Sequence, residues 1–241
     1  MTGVGAGGYS PAMTIARYQA LCLDASDPRR LGRFWADVLG LSMRLDDDGS
    51  VQLTGATPQH QVWIDPVPEP RTVKNRLHLD VDTFAVDRVV AAGATVLDPS
   101  PRRWTVLADP EGGELCAFVR EEVREPMYEI VWDCGDSAAA SRRIAAWWAD
   151  VLGAVRIDDE RGFSYLDGVP GAPWSAFSFV PVPEPKAAKN RVHIDVDLLR
   201  HDGVDELVAA GATVLRRPDD DISWTILADP DGNEFCAFAP S

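Results

Sequence analysis

The stretch VPEPRTVKNRLHLDVD, Val67–Asp82, decides the fold, because it returns almost unchanged as VPEPKAAKNRVHIDVD, Val182–Asp197. The histidines of the two copies, His78 and His193, are 115 residues apart (193 − 78 = 115). Further blocks, among them WADVLG and AAGATVL, repeat at nearly the same distance. Solenoid repeats have periods of about 20–50 residues, so a period of this length corresponds to a small domain. The chain therefore contains a duplicated domain.

Composition sets the size and the class of the protein. The chain has 241 residues with 46% hydrophobic and 25% charged residues, which suits two ordinary globular domains. We predict a flexible Gly-rich tail at residues 1–14, one domain at 15–122 and a second at 123–241. The expected assembly is either a monomer, in which the two copies form a pseudo-dimer, or a homodimer.

The charge of the chain excludes several kinds of partner. A formal net charge of −15 repels phosphate backbones and anionic lipids, so neither nucleic acid nor a membrane is expected as a partner. The sequence contains no apolar run approaching the roughly 20 residues of a membrane span, and its N-terminus does not resemble a signal peptide. The four cysteines, Cys22, Cys116, Cys134 and Cys236, lack paired metal-ligand spacing. These features predict a cytoplasmic location.

Each copy contains two units with the order strand, helix and three strands. The first unit begins with a strand at residues 16–25, and Asp27 and Pro28 then start a helix that ends at Gly40. A proline-rich linker separates this unit from the next, which begins with a strand at 76–82. The whole chain therefore holds four such units.

Strand alternation shows which residues face away from the helices. In LHLDVD, residues 77–82, the apolar side chains alternate with polar ones that include His78 and Asp80. The apolar face must cover the helices, so the polar face is open or lines a cup. The second copy repeats the pattern with His193 and Asp195. We therefore predict a cup on the face that carries the histidines.

The order of elements, the VPEP and KNRLHLD segments, and the turns ADPEGGELC (108–116) and ADPDGNEFC (228–236) resemble the vicinal oxygen chelate superfamily. This superfamily contains glyoxalases, extradiol dioxygenases and bleomycin-resistance proteins. The resemblance implies an α+β fold of tandem glyoxalase-like domains. Four βαβββ units would form curved mixed sheets, with helices on the convex face and ligand in the concave cup. It also implies that the two units of each copy share one cup.

The resemblance also identifies the positions at which metalloenzymes of the superfamily carry ligands. In the first copy these positions hold Ala20 and Cys116, which do not complete a site. In the second copy they hold Glu129 and Cys236, and His193 would complete a mixed set suited to zinc. We expect no cofactor and no stoichiometric metal, with Glu129, His193 and Cys236 as the ligands of the alternative.

Two groups are candidates for acid–base chemistry. His193 and Asp195 share a strand face, as do His78 and Asp80, and a carboxylate beside an imidazole suits general acid–base catalysis. Because this pair occurs in both copies, a purely structural role is the competing interpretation. Glu129 is the sharper candidate.

Glu129 occurs in only one copy, since Ala20 is its counterpart in the other. A carboxyl group in an apolar cup resists ionisation and becomes a proton donor or a base near neutral pH. The alternative is that Glu129 pairs with Arg191 or another cation and only ties strands together.

Aromatic residues predict a pocket for a planar or apolar ligand, chiefly in the second copy. The predicted ligand-binding residues are Phe163, Tyr165, Trp174, Phe177, Phe179, Trp224, Cys236, Arg191, Trp63 and Trp104. A core position is the competing interpretation for each of these aromatic residues.

Three functions follow from these patterns. The first is a glyoxalase- or bleomycin-resistance-like protein that binds a small organic molecule in a cup, chiefly in the second domain. The second is a lyase, isomerase or hydrolase that uses Glu129, or His193 with Asp195; the incomplete ligand set argues against glyoxalase I activity proper. The third, a scaffold for protein interactions, finds no support in the acidic composition.

Overall fold

A computed structural model describes residues 14–98 and 103–240. The predicted tail at 1–14 therefore lies outside the described residues, apart from Thr14. The first copy contains β1 (Ala16–Ala25), α1 (Pro28–Leu39), β2 (Ser42–Leu45), β3 (Val51–Thr54), β4 (Gln61–Pro66), β5 (Leu77–Thr83), α2 (Val86–Ala92), β6 (Thr95–Asp98), β7 (Thr105–Ala108) and β8 (Glu114–Val119). The second copy contains β9 (Met127–Cys134), α3 (Ala138–Leu152), β10 (Val155–Asp158), β11 (Ser164–Asp167), β12 (Ala176–Pro181), β13 (Val192–Leu198), α4 (Gly203–Ala209), β14 (Thr213–Arg216), β15 (Thr225–Ala228) and β16 (Glu234–Phe238).

These elements confirm the four predicted units. Unit 1 runs from β1 to β4, unit 2 from β5 to β8, unit 3 from β9 to β12, and unit 4 from β13 to β16. Each unit has one helix after its first strand, so the chain forms the predicted α+β arrangement of βαβββ units. None of the helices in the described residues is long and apolar enough to cross a membrane.

The units combine into two eight-stranded mixed sheets. The order β14-β15-β16-β13-β1-β4-β3-β2 joins units 1 and 4, and we call it sheet 1/4. The order β10-β11-β12-β9-β5-β8-β7-β6 joins units 2 and 3, and we call it sheet 2/3. At the centre of each sheet, the first strands of its two units pair antiparallel, β1 with β13 and β5 with β9.

This pairing corrects one expectation: the two units of one copy do not share a sheet. The proline-rich linkers, residues 67–76 and 182–191, carry the chain from one sheet to the other in both copies. Proline cannot donate a backbone hydrogen bond to a neighbouring strand, so each linker ends a strand. The linker sequence does not indicate which unit the next strand will pair with. The boundary between 15–122 and 123–241 divides the repeated sequence, and it falls within sheet 2/3, between β8 and β9.

The helix ends follow the sequence signals. The side chain of Asp27 accepts a hydrogen bond from the Arg30 backbone N–H, and Pro28 occupies the first turn of α1. Gly40 ends that helix with φ 67°, a left-handed conformation that favours glycine. Each sheet packs one face against helices, and the alternate residues of its central strands form a buried apolar core there. The other face, which we call the open face, carries the polar residues.

The linkers join the two halves by reciprocal contacts. Arg76 donates to the backbone carbonyl of Glu184 at 2.7 Å, and Arg191 donates to that of Glu69 at 2.5 Å. These are equivalent residues of the two copies, 115 positions apart (191 − 76 and 184 − 69). The two copies are therefore related by an approximate two-fold arrangement, as in an isologous dimer.

Candidate functional site

The open faces carry the residues that alternation predicted. Leu77, Leu79 and Val81 are buried in the core against the helices, whereas His78 and Asp80 belong to the opposite face of β5. Strand β13 repeats this arrangement with His193 and Asp195 on the open face. This confirms the prediction that the histidines lie on the face of each sheet that points away from the helices.

Two carboxyl groups meet at the centre of sheet 2/3. Asp80 on β5 lies directly opposite Glu129 on β9, and on its other side it is paired with Cys116 of β8. The nearest atoms of His78 and Asp80, Nε2 and Oδ1, are 3.4 Å apart. That oxygen is buried and has no hydrogen-bond partner. These four residues form the polar floor of sheet 2/3.

The protonation states on this floor follow from burial. Burial, reinforced by the charge of Glu129, raises the pKa of Asp80 to about 8, so this carboxyl group is largely protonated at neutral pH. Burial also lowers the pKa of His78 to about 4, which makes its imidazole neutral. Both members of the pair are therefore uncharged at pH 7.

Glu129 has a different environment from Asp80. Burial raises the pKa of Glu129, but hydrogen bonds from Ser178 and Tyr128 oppose that rise. Ser178 donates its hydroxyl to Oε2 at 2.8 Å. Arg191 pairs with Glu111 at 3.2 Å instead, so Arg191 is not the cation that neutralises Glu129. The charge of another cation, Arg161, also lowers the pKa of Glu129. The floor thus combines a proton donor, Asp80, with a second carboxyl group, Glu129, that accepts a hydrogen bond from Ser178.

Aromatic side chains stand on both sides of this floor. Phe118 of β8 contacts Trp104 and Tyr128, with both pairs of ring centroids 5.7 Å apart. On the other side, Tyr165 of β11 is the cross-strand partner of Ser178, and Phe163 packs near it with a centroid distance of 6.3 Å. Flat apolar walls around a few polar groups are typical of sites for small organic molecules.

The equivalent floor of sheet 1/4 is richer in thiols. Cys22 donates a hydrogen bond to Asp195 Oδ2 at 3.2 Å, and Cys236 Sγ is 3.5 Å from His193 Nε2. His193 Nε2 and Asp195 Oδ1 are 3.7 Å apart. Ala20 lies opposite Asp195, where sheet 2/3 has Glu129 opposite Asp80. The two floors therefore differ in kind, one with a second carboxyl group and one with a second thiol.

The structure does not bring together the set Glu129, His193 and Cys236. Glu129 belongs to sheet 2/3, whereas the other two belong to sheet 1/4. The exchange of units between the copies causes this separation. Glu129 instead faces His78, Asp80 and Cys116 of the first copy.

Three predicted ligand-binding aromatics lie in the core. Phe177 and Phe179 are 0% exposed and stack against Trp132 on the helix-covered face of β9 and β12. Trp174 is 6% exposed and packs on the edge of Tyr18. These three predictions of cup residues were wrong. The phase of β12 turns Phe177 and Phe179 toward the helices, and Trp174, in the loop before β12, packs in the same core.

The other predicted ligand-binding residues take three positions. Phe163, Tyr165 and Trp104 lie beside the floor of sheet 2/3. Trp63 is the cross-strand partner of Cys22 in sheet 1/4, where Trp224 stacks on Phe238 at 5.4 Å. Arg191 belongs to the joint between the two halves, where it binds Glu69 and Glu111.

Three residues of the site were not predicted from the sequence. Tyr128 reaches the open face because the ladder of β5 and β9 shifts register between Asp80 and Val81. Ser178 lies between Phe177 and Phe179 in β12. Strand alternation could have predicted that its side chain points to the face opposite these two phenylalanines. Cys22 belongs to a group of possible metal ligands with His193 and Asp195, whereas the sequence showed it only as a cysteine without paired metal-ligand spacing.

Both floors contain groups that ligate divalent cations. His78, Asp80 and Cys116 have one donor atom each within 4.8 Å of one another, and so do Cys22, His193 and Asp195. The buried Asp80 Oδ1, which lacks a partner, fits this role. A cation held by the three donors of sheet 2/3 would keep an open coordination position and would polarise an oxygen of a bound molecule.

A cavity of about 700 Å³ lies away from both floors, between the two proline-rich linkers. Its cationic side chains are largely paired: Lys74 with Asp133, and Lys189 with Asp24. We assign the candidate site to the floor of sheet 2/3, because buried polar atoms of His78 and Asp80 lack hydrogen-bond partners there. The cavity instead belongs to the contact between the two linkers.

Comparisons with known proteins agree with this architecture. The family model described as glyoxalase-like domain matches residues 20–118 and 129–238. Glyoxalase I from Zea mays has a similar structure, with a TM-score of 0.70, 14% identity, and 92% of this chain and 92% of that chain covered. The cppA protein from Streptococcus pneumoniae TIGR4 is also similar, with a TM-score of 0.52, 10% identity, and coverage of 95% and 99%. No curated protein matches the chain. At these identities the structural matches show the fold alone.

Proposed function

Because the chain belongs to the family of glyoxalase-like domains, we propose that it binds a small organic molecule over the open face of sheet 2/3. The observation that carries this proposal is the direct opposition of Asp80 and Glu129 on a floor with aromatic side chains on both sides. The same polar position in sheet 1/4 is filled by Ala20. Sheet 2/3 is therefore the better candidate.

The floor selects the chemistry of the ligand. A protonated Asp80 donates a hydrogen bond, and an oxygen of Glu129 accepts one, so a ligand with a carbonyl or hydroxyl oxygen beside an N–H or O–H group matches both. An aromatic or apolar body would pack on Phe118 and Tyr165. Binding of this kind requires no metal, and it suits a protein that sequesters a drug or a metabolite.

Proton transfer is a second candidate function, and the carboxyl pair favours it. Burial raises the pKa of Asp80 to about 8, so it holds a proton at neutral pH, and Glu129 lies directly opposite it. Glu129 would take a proton from a bound molecule, and Asp80 would deliver one to a neighbouring oxygen, as a lyase or isomerase requires. Asp195, which lies opposite Ala20, has no such carboxyl partner across β1.

The cellular setting is also a proposal. All four cysteines are free thiols, which suits a reducing compartment such as the cytoplasm. One chain completes two eight-stranded sheets, so a monomer can form both open faces without a partner.

A thermal-shift screen of metabolites and antibiotics, followed by calorimetry, tests the proposal. We expect a compound from the screen whose affinity falls at least tenfold in Asp80→Ala, about 1.4 kcal/mol, because alanine removes the donor. Asp197→Ala is the matched control, because it makes the same chemical change on sheet 1/4 at a residue bound to Arg17 and Gln19. A compound that binds Asp80→Ala and the unaltered protein equally would contradict the proposed site.

A further inference from the structure

A small pocket lies among the helices of the first copy, away from both floors and from the linkers. Its volume is about 270 Å³, and it lies where the start of α1 meets the end of α2. Phe34, Gly93 and Pro110 meet in its wall, since an atom added at the Cβ position of Gly93 would lie 3.9 Å from Phe34 Cδ2 and 3.5 Å from Pro110 Cγ. Because α1 belongs to unit 1 and the other two segments to unit 2, the pocket lies between sheet 1/4 and sheet 2/3.

Three arginine side chains that lack partners line this pocket. Arg29, Arg30 and Arg33 are exposed, and none of their guanidinium groups makes a hydrogen bond or an ion pair with any of the residues 14–98 and 103–240. Asp27 also lines the pocket and caps α1, so the formal charges of the lining sum to +2 (3 − 1 = 2). The whole chain has a formal net charge of −15, so this positive charge is a local feature.

Two of these arginines oppose the dipole of their own helix. Arg29 and Arg30 lie in the first turn of α1, which contains no acidic residue. The partial positive charge at a helix N-terminus makes cations unfavourable there and anions favourable. A bound anion would therefore interact favourably with the arginines and with the helix terminus, in addition to filling the pocket.

In the second copy, an ion pair occupies the equivalent position. Arg143 is the counterpart of Arg30 (143 − 30 = 113), and it binds Asp231 in the turn before β16. Glu111 is the counterpart of Asp231, but it accepts hydrogen bonds from two backbone N–H groups before α1 and pairs with Arg191. Arg30 is therefore left without the carboxylate that its counterpart has.

The second copy also fills the space that forms the pocket in the first. Trp147 is the counterpart of Phe34, and its indole N–H donates to the backbone carbonyl of Ala210 at 2.9 Å. Ala210 corresponds to Ala92, which lines the pocket. The Phe34 ring is smaller and has no N–H group. The two copies therefore differ at this place both in charge and in volume.

We propose that this pocket binds a phosphate group, as the free ion or in a small monoester, at a site separate from that of the proposed function. Guanidinium groups form paired hydrogen bonds with phosphate oxygens. A phosphate monoester carries a charge of about −1.5 to −2 at neutral pH, which matches the +2 of the lining. Pockets for drug-sized ligands have volumes of about 300–1,000 Å³, so 270 Å³ suits a phosphate group with a small substituent.

Calorimetric titration of the full chain at constant ionic strength tests this proposal, with glycerol 3-phosphate and inorganic phosphate as the probes. We expect glycerol 3-phosphate to bind at one site per chain. Arg30→Gln and Arg33→Gln should each weaken this binding at least about tenfold, because each removes a charged hydrogen-bond donor. Arg142→Gln is the matched control on α3, and it should change the dissociation constant by less than about twofold.

Phe34→Trp tests the pocket separately from its charge. This variant keeps all three arginines but introduces the side chain that occupies the equivalent space in the second copy. We expect it to weaken the binding of glycerol 3-phosphate at least about tenfold. Circular dichroism shows whether the variant is folded, and the two arginine variants, which change exposed residues, test the site if it is not.

The outcomes distinguish a built site from general attraction to positive charge. Absence of binding of both probes to the unaltered protein would overturn the proposal. Equal weakening by Arg142→Gln and Arg30→Gln would also overturn it, as would unchanged binding in Arg30→Gln and Arg33→Gln. Tighter binding of glycerol 3-phosphate than of inorganic phosphate supports a monoester as the ligand, and equal binding supports the free ion. Because neither probe depends on the screen for a ligand of sheet 2/3, failure of this proposal leaves the proposed function intact.

Discussion

Asp80 and Glu129 lie directly opposite each other on the antiparallel strands β5 and β9, although they come from different copies of the repeat. Neither copy alone contains this pair, because Asp80 belongs to unit 2 and Glu129 to unit 3. The candidate site is therefore created by the exchange of units between the copies.

Asp80→Asn should reduce the loss of stability that accompanies rising pH. The folded protein holds a proton on Asp80 up to about pH 8, where the pKa has been raised from 3.8 by burial and by Glu129. The stability gained from this proton is complete below about pH 4 and is lost as the pH rises through about 8. Relative to Asp80→Asn, we expect the chelator-treated protein to lose about 2 kcal/mol or more between pH 5 and pH 8.

Urea unfolding at the two pH values measures this difference. Glu129→Gln is the informative companion, because removing its charge lowers the pKa of Asp80 and should shrink the pH dependence. A stability difference between the unaltered protein and Asp80→Asn that stays constant with pH would show that Asp80 is ionised in the folded state.

Tyr165→Ala and Trp63→Ala distinguish the two open faces. Tyr165 is adjacent to Ser178, the hydrogen-bond partner of Glu129, whereas Trp63 is adjacent to Cys22 in sheet 1/4. We expect Tyr165→Ala to weaken binding of a screened ligand at least tenfold by calorimetry, and Trp63→Ala to leave it within about twofold. The reverse pattern would place the ligand on sheet 1/4.

Phe177→Ala should destabilise the protein without defining a ligand contact. Phe177 is 0% exposed and packs against Trp132 and Tyr18, so its removal leaves a cavity that costs about 3–5 kcal/mol. Chemical denaturation measures the change. A variant with stability within about 1 kcal/mol of the unaltered protein, but without ligand binding, would return Phe177 to the binding site.

Arg76→Ala and Arg191→Ala should destabilise the joint to similar extents. Arg76 donates to the carbonyls of Glu184 and Asp133, and its equivalent Arg191 donates to Glu69. Each variant should lose about 1–3 kcal/mol of unfolding free energy, because charged donors make the stronger hydrogen bonds. Arg124→Ala, whose side chain is 84% exposed, should change stability by less than about 1 kcal/mol. Equal effects of all three substitutions would contradict a structural role for the linkers.

The fold was largely predictable because its signals are local. Asp27, Pro28 and Gly40 mark the ends of α1, and the alternation in β5 separates the core residues from His78 and Asp80. These signals depend only on capping chemistry and on the period of a strand. The internal repeat then extended them to all four units.

The composition of the site was less predictable because it depends on pairing between distant strands. The linker sequences do not indicate which two units form a sheet. Glu129 was therefore predicted to lie near His193, of the same copy, instead of Asp80. The phase of β12 was misjudged in the same way, since Phe177 and Phe179 are separated by Ser178, which is the residue that reaches Glu129.

The most direct test of the account is calorimetric titration of Glu129→Gln and Asp197→Asn with the compound that most stabilises the unaltered protein in the thermal-shift screen. We predict at least tenfold weaker binding for Glu129→Gln, about 1.4 kcal/mol, and a dissociation constant within twofold of the unaltered value for Asp197→Asn. Unchanged binding by Glu129→Gln, with its melting temperature and circular dichroism intact, would contradict the assignment of the functional site to sheet 2/3.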